Sequence, residues 1–482
     1  MIPHSSRPTG LSRAMRSGLR NGLHAATLAL SLAAGLACTT ALAEVQSAFS
    51  QPAPFTGMVR IDGGNGQPIH AGAAARITGQ GFAPGQPVRL MRGSETISPA
   101  DLIADAEGKF TFDYSVPQDA VLGLHPIVVT TEGPDSAEVV ELKVSPDLPL
   151  VGADKFEITS AAGVPGLYQL AYSVKNDLLF ATAAVGRPPV RESQLIKLDP
   201  KTLEVLARVS PAAAPAGPDG REGGVFAVYG VAVDDVHGTV WVTNTRQSTV
   251  AVYRQDDLSL VKQFPVDSVS HPRDVVIDTA KGRAYVSAAR SGGIEVFDTE
   301  TLEQLPGFTI ASAQRGQEFT VMSLAFDAKN DALYTVSMDT PEAARIDLAT
   351  GEIRVIPVPG AVRASGVAYD AASDRLFVAS QGSDDLIVLD MASGKVLEDV
   401  PVGAGSLNVA YDAKSDLAFV ANRVSDSLTV VDAKGEVVGN FDAGSYPNFV
   451  TATPDGRIFA VNKSRGAEDP EGDRIWRIVP KS

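Results

Sequence analysis

Apolar and polar residues alternate along most of this chain in short runs. Residues 417–432, LAFVANRVSDSLTVVD, hold two such runs parted by a polar tip, which is the pattern of a β-hairpin. Close variants recur at 238–253, GTVWVTNTRQSTVAVY, and at 375–390, RLFVASQGSDDLIVLD. Repetition of this kind governs the fold, because each copy is one supersecondary unit that buries its apolar face only by stacking on its neighbours. The aromatic centres of the second run in each unit are Phe180, Trp241, Tyr285, Tyr334, Phe377, Phe419 and Phe459. After a first gap of 61 residues they lie 40 to 49 residues apart, the period of a four-stranded propeller blade.

Each unit then reads as an inner strand such as GVAYD or NVAYD, an Asp-rich turn such as DAASD or DAKSD, the second strand, a polar loop, a third strand and a last one. The final unit stops after RIWRIVP and lacks a fourth strand. Residues 155–160, KFEITS, are expected to supply it, closing the ring and covering an edge that would otherwise invite further strands. The reading is therefore all-β, with a seven-bladed propeller over 151–482. Residues 54–147 follow a different grammar. RITGQGFAPGQPVRLMRG, GKFTFDYSVP, LHPIVVTTEG and AEVVELKVSP are alternating runs between Gly, Pro and Asp turns, as in an antiparallel sandwich.

Two resemblances attach to these segments. The order G-x-G-F-x-P-G-x-P-V from Gly79 to Val88, followed by D-x-x-G-x-F and a Val-Pro, resembles bacterial immunoglobulin-like domains, which commonly space or present a partner domain. Trp241-Val242-Thr243-Asn244, Phe419-Val420-Ala421-Asn422 and Phe459-Ala460-Val461-Asn462 resemble the YVTN propeller repeat, whereas Tyr285-Val286-Ser287 and Phe377-Val378-Ala379-Ser380 replace its Asn. Seven such units over 151–482 look like the YncE-like family of periplasmic propellers. That resemblance implies a propeller fold and a periplasmic setting, and it brings nucleic-acid binding as one activity without assigning residues to it.

Composition is globular: 482 residues, 44% apolar, with a formal net charge of −16. The first 43 residues differ, with Arg7, Arg13, Arg16 and Arg20, no acid, and an apolar stretch that ends on Ala41-Leu42-Ala43. A basic start, an apolar middle and a small-x-small exit predict a secretory signal peptide over 1–43, cleaved near Ala43, and a periplasmic or secreted product. Cys38, the single cysteine, falls inside it; GLAC is a poorer lipoprotein signal than Ala41-Leu42-Ala43 is an exit for cleavage. The mature chain then has no thiol chemistry, is more acidic than the precursor, and contains no run approaching the ~20 apolar residues of a membrane helix.

Chemistry is sparse. The recurring Asn244, Asn422 and Asn462, and the Asp that ends each inner strand, suit loop and turn fastening better than binding. No histidines share a metal-ligand spacing, and no nucleophile elbow, phosphate loop or cofactor motif appears. A lactonase-like or quinone-dependent dehydrogenase-like propeller would need an acid and amide cluster, for which Asp274, Asn408 and Asn448 are the nearest candidates; one acid is thin for a divalent cation.

Charge placement is more informative. One face of the ring collects Asp177, Asp234, Asp235, Asp278, Asp331, Asp374, Asp416 and Asp455, and the other Arg187, Arg191, Arg246, Arg273, Arg290, Arg363, Arg423, Lys463 and Arg465. The fourth and fifth units interrupt the basic sector with Asp339, Glu342, Asp384 and Asp385. The expectation is a non-catalytic binding or scaffold propeller that takes an anionic ligand or an envelope protein at this mouth. Arg246, Arg273, Arg290 and Arg423 would make the anion contacts, beside Tyr229, Asn408 and Asn448, with no metal and no cofactor. Tyr168, Tyr229, Tyr446 and Phe449 could stack bases, but the overall acidity disfavours long-range attraction to nucleic acid. The Pro- and Gly-rich insertion at 211–224 reads as a loop.

Overall fold

The computed structural model describes residues 53–217 and 220–481; the leader expected over 1–43, with Cys38, lies outside them. No α-helix is present among the described residues, and none of their helices is long and apolar enough to cross a membrane.

Two antiparallel sheets form the first part. Met58–Asp62, Ala74–Gln80 and Phe110–Ser115 make one, and Glu95–Thr96, Val88–Arg92, Gly123–Thr131 and Ser136–Val144 the other. They share one core that includes Ile77, Leu90, Phe110, Ile127 and Val129. The alternation read from the sequence is thus spent on a single buried layer, with polar residues left outside.

Seven four-stranded sheets follow. Their inner strands are Leu167–Ser173, Val231–Asp234, Pro272–Asp278, Val321–Asp327, Ala364–Asp370, Ser406–Asp412 and Pro447–Ala452, which define blades one to seven. Each inner strand touches the next, and the seventh touches the first, so the sheets form a closed propeller. The seventh sheet borrows its fourth strand: Phe156–Ala162 pairs antiparallel with Arg474–Pro480, from Phe156 opposite Pro480 to Ala162 opposite Arg474.

The core lies between blades rather than within them. Trp241 packs with Phe297 and Val286 of the third blade, Phe419 with Ile458 and Ile478 of the seventh, and Phe459 with Leu170 and Leu179 of the first. All seven repeating aromatics are buried, which is why the period is so regular: each fills the same gap between neighbouring sheets. Close approach of inner strands also explains two glycines. A Cβ on Gly230 would meet the Arg273 carbonyl at 2.4 Å, and one on Gly366 the Asn408 Cα at 2.7 Å.

The recurrent polar residues hold turns. Asn422 donates to Ser427 Oγ (3.1 Å) and Thr429 Oγ1 (2.7 Å), and Asn462 donates to the Ser445 and Glu471 carbonyls (2.8 and 2.7 Å). Asp234, Asp278, Asp327 and Asp370 each accept a backbone N–H two residues on, at 2.9 to 3.0 Å. Much of the acidic face is likewise committed internally. Tyr172, Tyr369 and Tyr411 donate to Asp177, Asp374 and Asp416, and those three Asp residues adopt positive φ. The sandwich is tied to the fifth blade by Lys143, which donates to Asp384 Oδ1 (2.7 Å) and the Gln381 carbonyl (2.9 Å), and by the Arg363–Glu141 pair at 3.5 Å.

Closure of the ring is open to direct test. Phe156 is buried against Phe419 and Phe441, with ring centroids 5.9 and 5.6 Å away. Phe156→Ala is expected to cost about 3–5 kcal/mol in denaturant unfolding. Glu157→Ala on the same strand removes only an exposed partner of Arg477 and is expected to cost under about 1 kcal/mol.

Candidate functional site

Six of the seven inner strands carry a register shift near their start, for example between Pro272 and Val275, Ser406 and Asn408, and Pro447 and Phe449. Such bulges turn a side chain out of the ladder. Here they aim polar groups at the next blade. Gln169 Oε1 accepts Val231 N–H (3.1 Å), Asp274 Oδ2 accepts Leu324 N–H (3.0 Å), and Asn408 Oδ1 accepts Val450 N–H (2.8 Å). Ser365 Oγ donates to the Leu407 carbonyl (2.7 Å), and Asn448 Nδ2 to the Tyr168 carbonyl (2.7 Å). This belt links neighbouring blades around the channel.

Its consequence for the acid and amide set is direct. Asp274 is fully buried, and burial raises its pKa; both carboxyl oxygens already accept backbone N–H groups, from Val275 (3.1 Å) and Leu324. Asn408 accepts Val450 N–H, and Asn448 is held between the Tyr168 carbonyl, to which it donates, and Arg423, from which it accepts. Among the described residues no group of three or more His, Cys, Asp or Glu is placed to hold a metal ion.

Above the belt lies a cavity of about 870 Å³ lined by residues from all seven blades. Arg246, Arg273, Arg423, Tyr229 and Asn448 line it, together with Tyr168, Lys463 and Arg465. Two of the side chains singled out from the sequence do not. Asn408 is spent on the sixth-to-seventh blade joint, and Arg290, exposed just beyond Arg283–Ala288, lies outside the lining, although burial, then its charge and that of Arg246, lower the pKa of His271.

The repeat explains how the cations arrive together. Arg423 directly follows Leu417–Asn422, Lys463 directly follows Ile458–Asn462, and Arg246 sits in the 3₁₀ turn Thr245–Gln247 that follows Asn244. In each case a buried motif Asn precedes the loop, and a basic residue one or two positions later overhangs the mouth. Lys463 ranks with Arg423 by that register. Reading the residue after the motif Asn across blades, rather than charge alone, is the signal that finds it.

Aromatic rings hold the cations in place. Arg246 lies 5.7 Å from the Tyr229 ring centre and its Nε donates to Tyr229 Oη at 3.3 Å. Lys463 lies 5.3 Å from the Tyr168 ring, and Tyr168 meets Tyr229 edge-on at 4.9 Å. Arg423 and Arg465 lie 5.2 and 4.5 Å from the Tyr446 ring, and Arg423 Nη1 donates to Asn448 Oδ1. Arg465 also pairs with Asp426.

Arg246, Arg273, Arg423 and Lys463, by contrast, have no carboxylate within ion-pair distance among the described residues. Burial and the neighbouring charges of Arg423 and Arg246 depress the Lys463 pKa to about 8, with Asp473 opposing them. Burial likewise lowers that of Arg423, and Arg273 adds to the effect. Arg273 Nε is buried and has no hydrogen-bond partner. Uncompensated like charge and an orphaned donor destabilise the fold, and both are concentrated in this one cavity.

No family model matches the chain. It is 25% identical over 197 residues to uncharacterized YncE proteins of Escherichia coli O157:H7 and Salmonella typhi, covering 39% of this chain and 50% of each relative. The chain thus spans about half the length of the curated relatives it matches. Among solved structures, virginiamycin B lyase from Staphylococcus aureus superposes with a TM-score of 0.52 at 12% identity, over 67% of this chain and 99% of that one. Kuenenia stuttgartiensis hydrazine synthase gives 0.50 at 17% identity, over 62% and 93%. These likenesses establish a β-propeller similar to YncE in sequence and shared in fold with enzymes of different chemistry.

Proposed function

We propose that this protein is an exported, non-catalytic binding propeller that holds an anionic ligand, or an anionic group of a protein partner, in the cavity at its basic mouth. One observation carries the reading: four cations without carboxylate partners converge on a single cavity at the cost of a depressed lysine pKa and an unsatisfied guanidinium N–H. The leader-like first 43 residues support export, and the likeness to YncE supports the propeller fold on which the mouth is built. The engagement of Asp274, Asn408 and Asn448 in blade joints favours binding over metal-assisted chemistry.

Binding is expected to fade with alkali. Lys463 faces the Tyr168 ring, the Gly166 carbonyl, Arg423, Arg246 and Asp473, and it loses its proton as pH rises through about 8. Calorimetric titration with a panel of inorganic and organic oxyanions should show affinity falling several-fold between pH 7 and 9.5. Arg273→Ala and Arg423→Ala should each lose about tenfold or more at pH 7, as expected for one charge-assisted hydrogen bond. Affinity unchanged by both substitutions would count against the site.

Stability should move the other way. The folded chain holds the Lys463 proton less tightly than the unfolded chain, so between about pH 8 and the ordinary lysine value the unfolded state carries a proton that the folded state lacks. Below about pH 8 both states are charged and the full cost is present. Lys463→Met is therefore expected to stabilise the protein by on the order of 1–2 kcal/mol at pH 7, a gain that shrinks above about pH 8 and vanishes above the ordinary lysine pKa near 10.4. Thermal melts across this pH range check the sign.

A further inference from the structure

We infer that the guest of this cavity is a compact, multiply charged, non-aromatic oxyanion of the phosphate or polycarboxylate class. The inference rests on the anion-binding reading above and narrows it by what the lining groups still have to offer.

The aromatic rings are already occupied. The Tyr168 ring carries Lys463, the Tyr229 ring carries Arg246, and the Tyr446 ring carries both Arg423 and Arg465. Tyr168 and Tyr229 also pack edge to face on one another at 86°. Binding of single-stranded nucleic acid relies on bases stacking on free ring faces along a basic track. In this mouth a base would compete with a guanidinium or ammonium group already seated on each of these rings. The tyrosines serve as supports that orient the cations.

The remaining hydrogen-bonding capacity is almost wholly donor. Asn448 is used at both ends, its Oδ1 by Arg423 and its Nδ2 by the Tyr168 carbonyl. Two of the lining acids are turned to backbone: Asp469 accepts Arg465 N–H (2.8 Å) and Glu471 N–H (3.2 Å), and Asp473 accepts Gly166 N–H (2.9 Å). Glu192 is exposed. The positive groups at the space are guanidinium and ammonium N–H, beside the neutral Gln381 and Ser464, with Arg273 Nε buried and unused. Such a set is complementary to a ligand whose surface is acceptor oxygen.

The charge distribution is also bounded. The unpaired cations come from blades two, three, six and seven; blades four and five contribute Met338 and Gln381, and Glu192, Asp469 and Asp473 lie on the side of blades one and seven. A basic groove leading away from the cavity, which an extended strand would follow, is absent from this lining.

The test uses the protein without its leader and four probes: inorganic phosphate, citrate, acetate and an oligothymidylate of eight nucleotides. Titrations at pH 8 in two buffers of different ionisation heat also report proton uptake. Phosphate or citrate is expected to bind at least tenfold more tightly than acetate and more tightly than the oligonucleotide. Binding should draw in a fraction of a proton that Lys463→Met abolishes, and Arg273→Ala should weaken it at least tenfold. Lys463→Met should itself weaken binding at pH 7, which keeps the test readable if Arg273→Ala fails to fold. An oligonucleotide that binds more tightly than every small anion, and loses affinity on Tyr168→Leu, would overturn this inference while leaving an anion site in place. No binding of any probe would overturn both this inference and the anion-binding reading beneath it.

Discussion

Everything in the propeller depends on the pairing of Phe156–Ala162 with Arg474–Pro480. Seven twisted sheets stacked about an axis leave two free faces unless the last blade is fastened to the first, and this pairing completes the seventh sheet from the other end of the ring. It does so with a full ladder and with Phe156 set into the gap beside Phe419 and Phe441. Once the ring is closed, each blade is confined on both sides, and the inter-blade clusters reach the packing that keeps Trp241, Phe419 and Phe459 fully buried.

Confinement is also what lets a repeated scaffold hold a costly site. The belt of Gln169, Asp274, Ser365, Asn408 and Asn448 fixes the starts of the inner strands, and the loops above inherit that rigidity. Four cations can then be kept close, although mutual repulsion and desolvation would drive free side chains apart. Buried Asn422 and Asn462 do the same for the loops that carry Arg423 and Lys463. The belt and the mouth meet at Asn448: Gln169, Asp274, Ser365 and Asn408 are engaged by backbone, Asn448 also accepts from Arg423, and the four cations above have no carboxylate partner among the described residues.

The ring was legible in the sequence because it sets one packing problem seven times, and the aromatic of each second strand answers it at a nearly constant interval. The basic mouth was legible in part, since loops of one type fall on one face. Which amide would be free was not. Asn408 and Asn448 occupy like positions, yet a bulge directs Asn408 to the Val450 amide and sets Asn448 between Arg423 and the Tyr168 carbonyl. Arg290 illustrates the same limit, because its direction depends on a turn whose shape no motif encodes. Lys463 was placed on the basic face but not singled out as a contact, because its setting comes from Tyr168, Arg246 and Arg423 on other blades, which only the closed ring brings near.

Closure by a strand that comes before the first blade has a kinetic corollary. Residues 156–162 leave the synthesis machinery long before 474–480 exist, so the contact on which the ring rests is among the last available to the chain and among the most distant in sequence. Until then the nascent propeller is an open arc with two bare sheet edges, each a template for unwanted pairing. The vulnerable species in this interval is a nearly complete arc awaiting its final clasp.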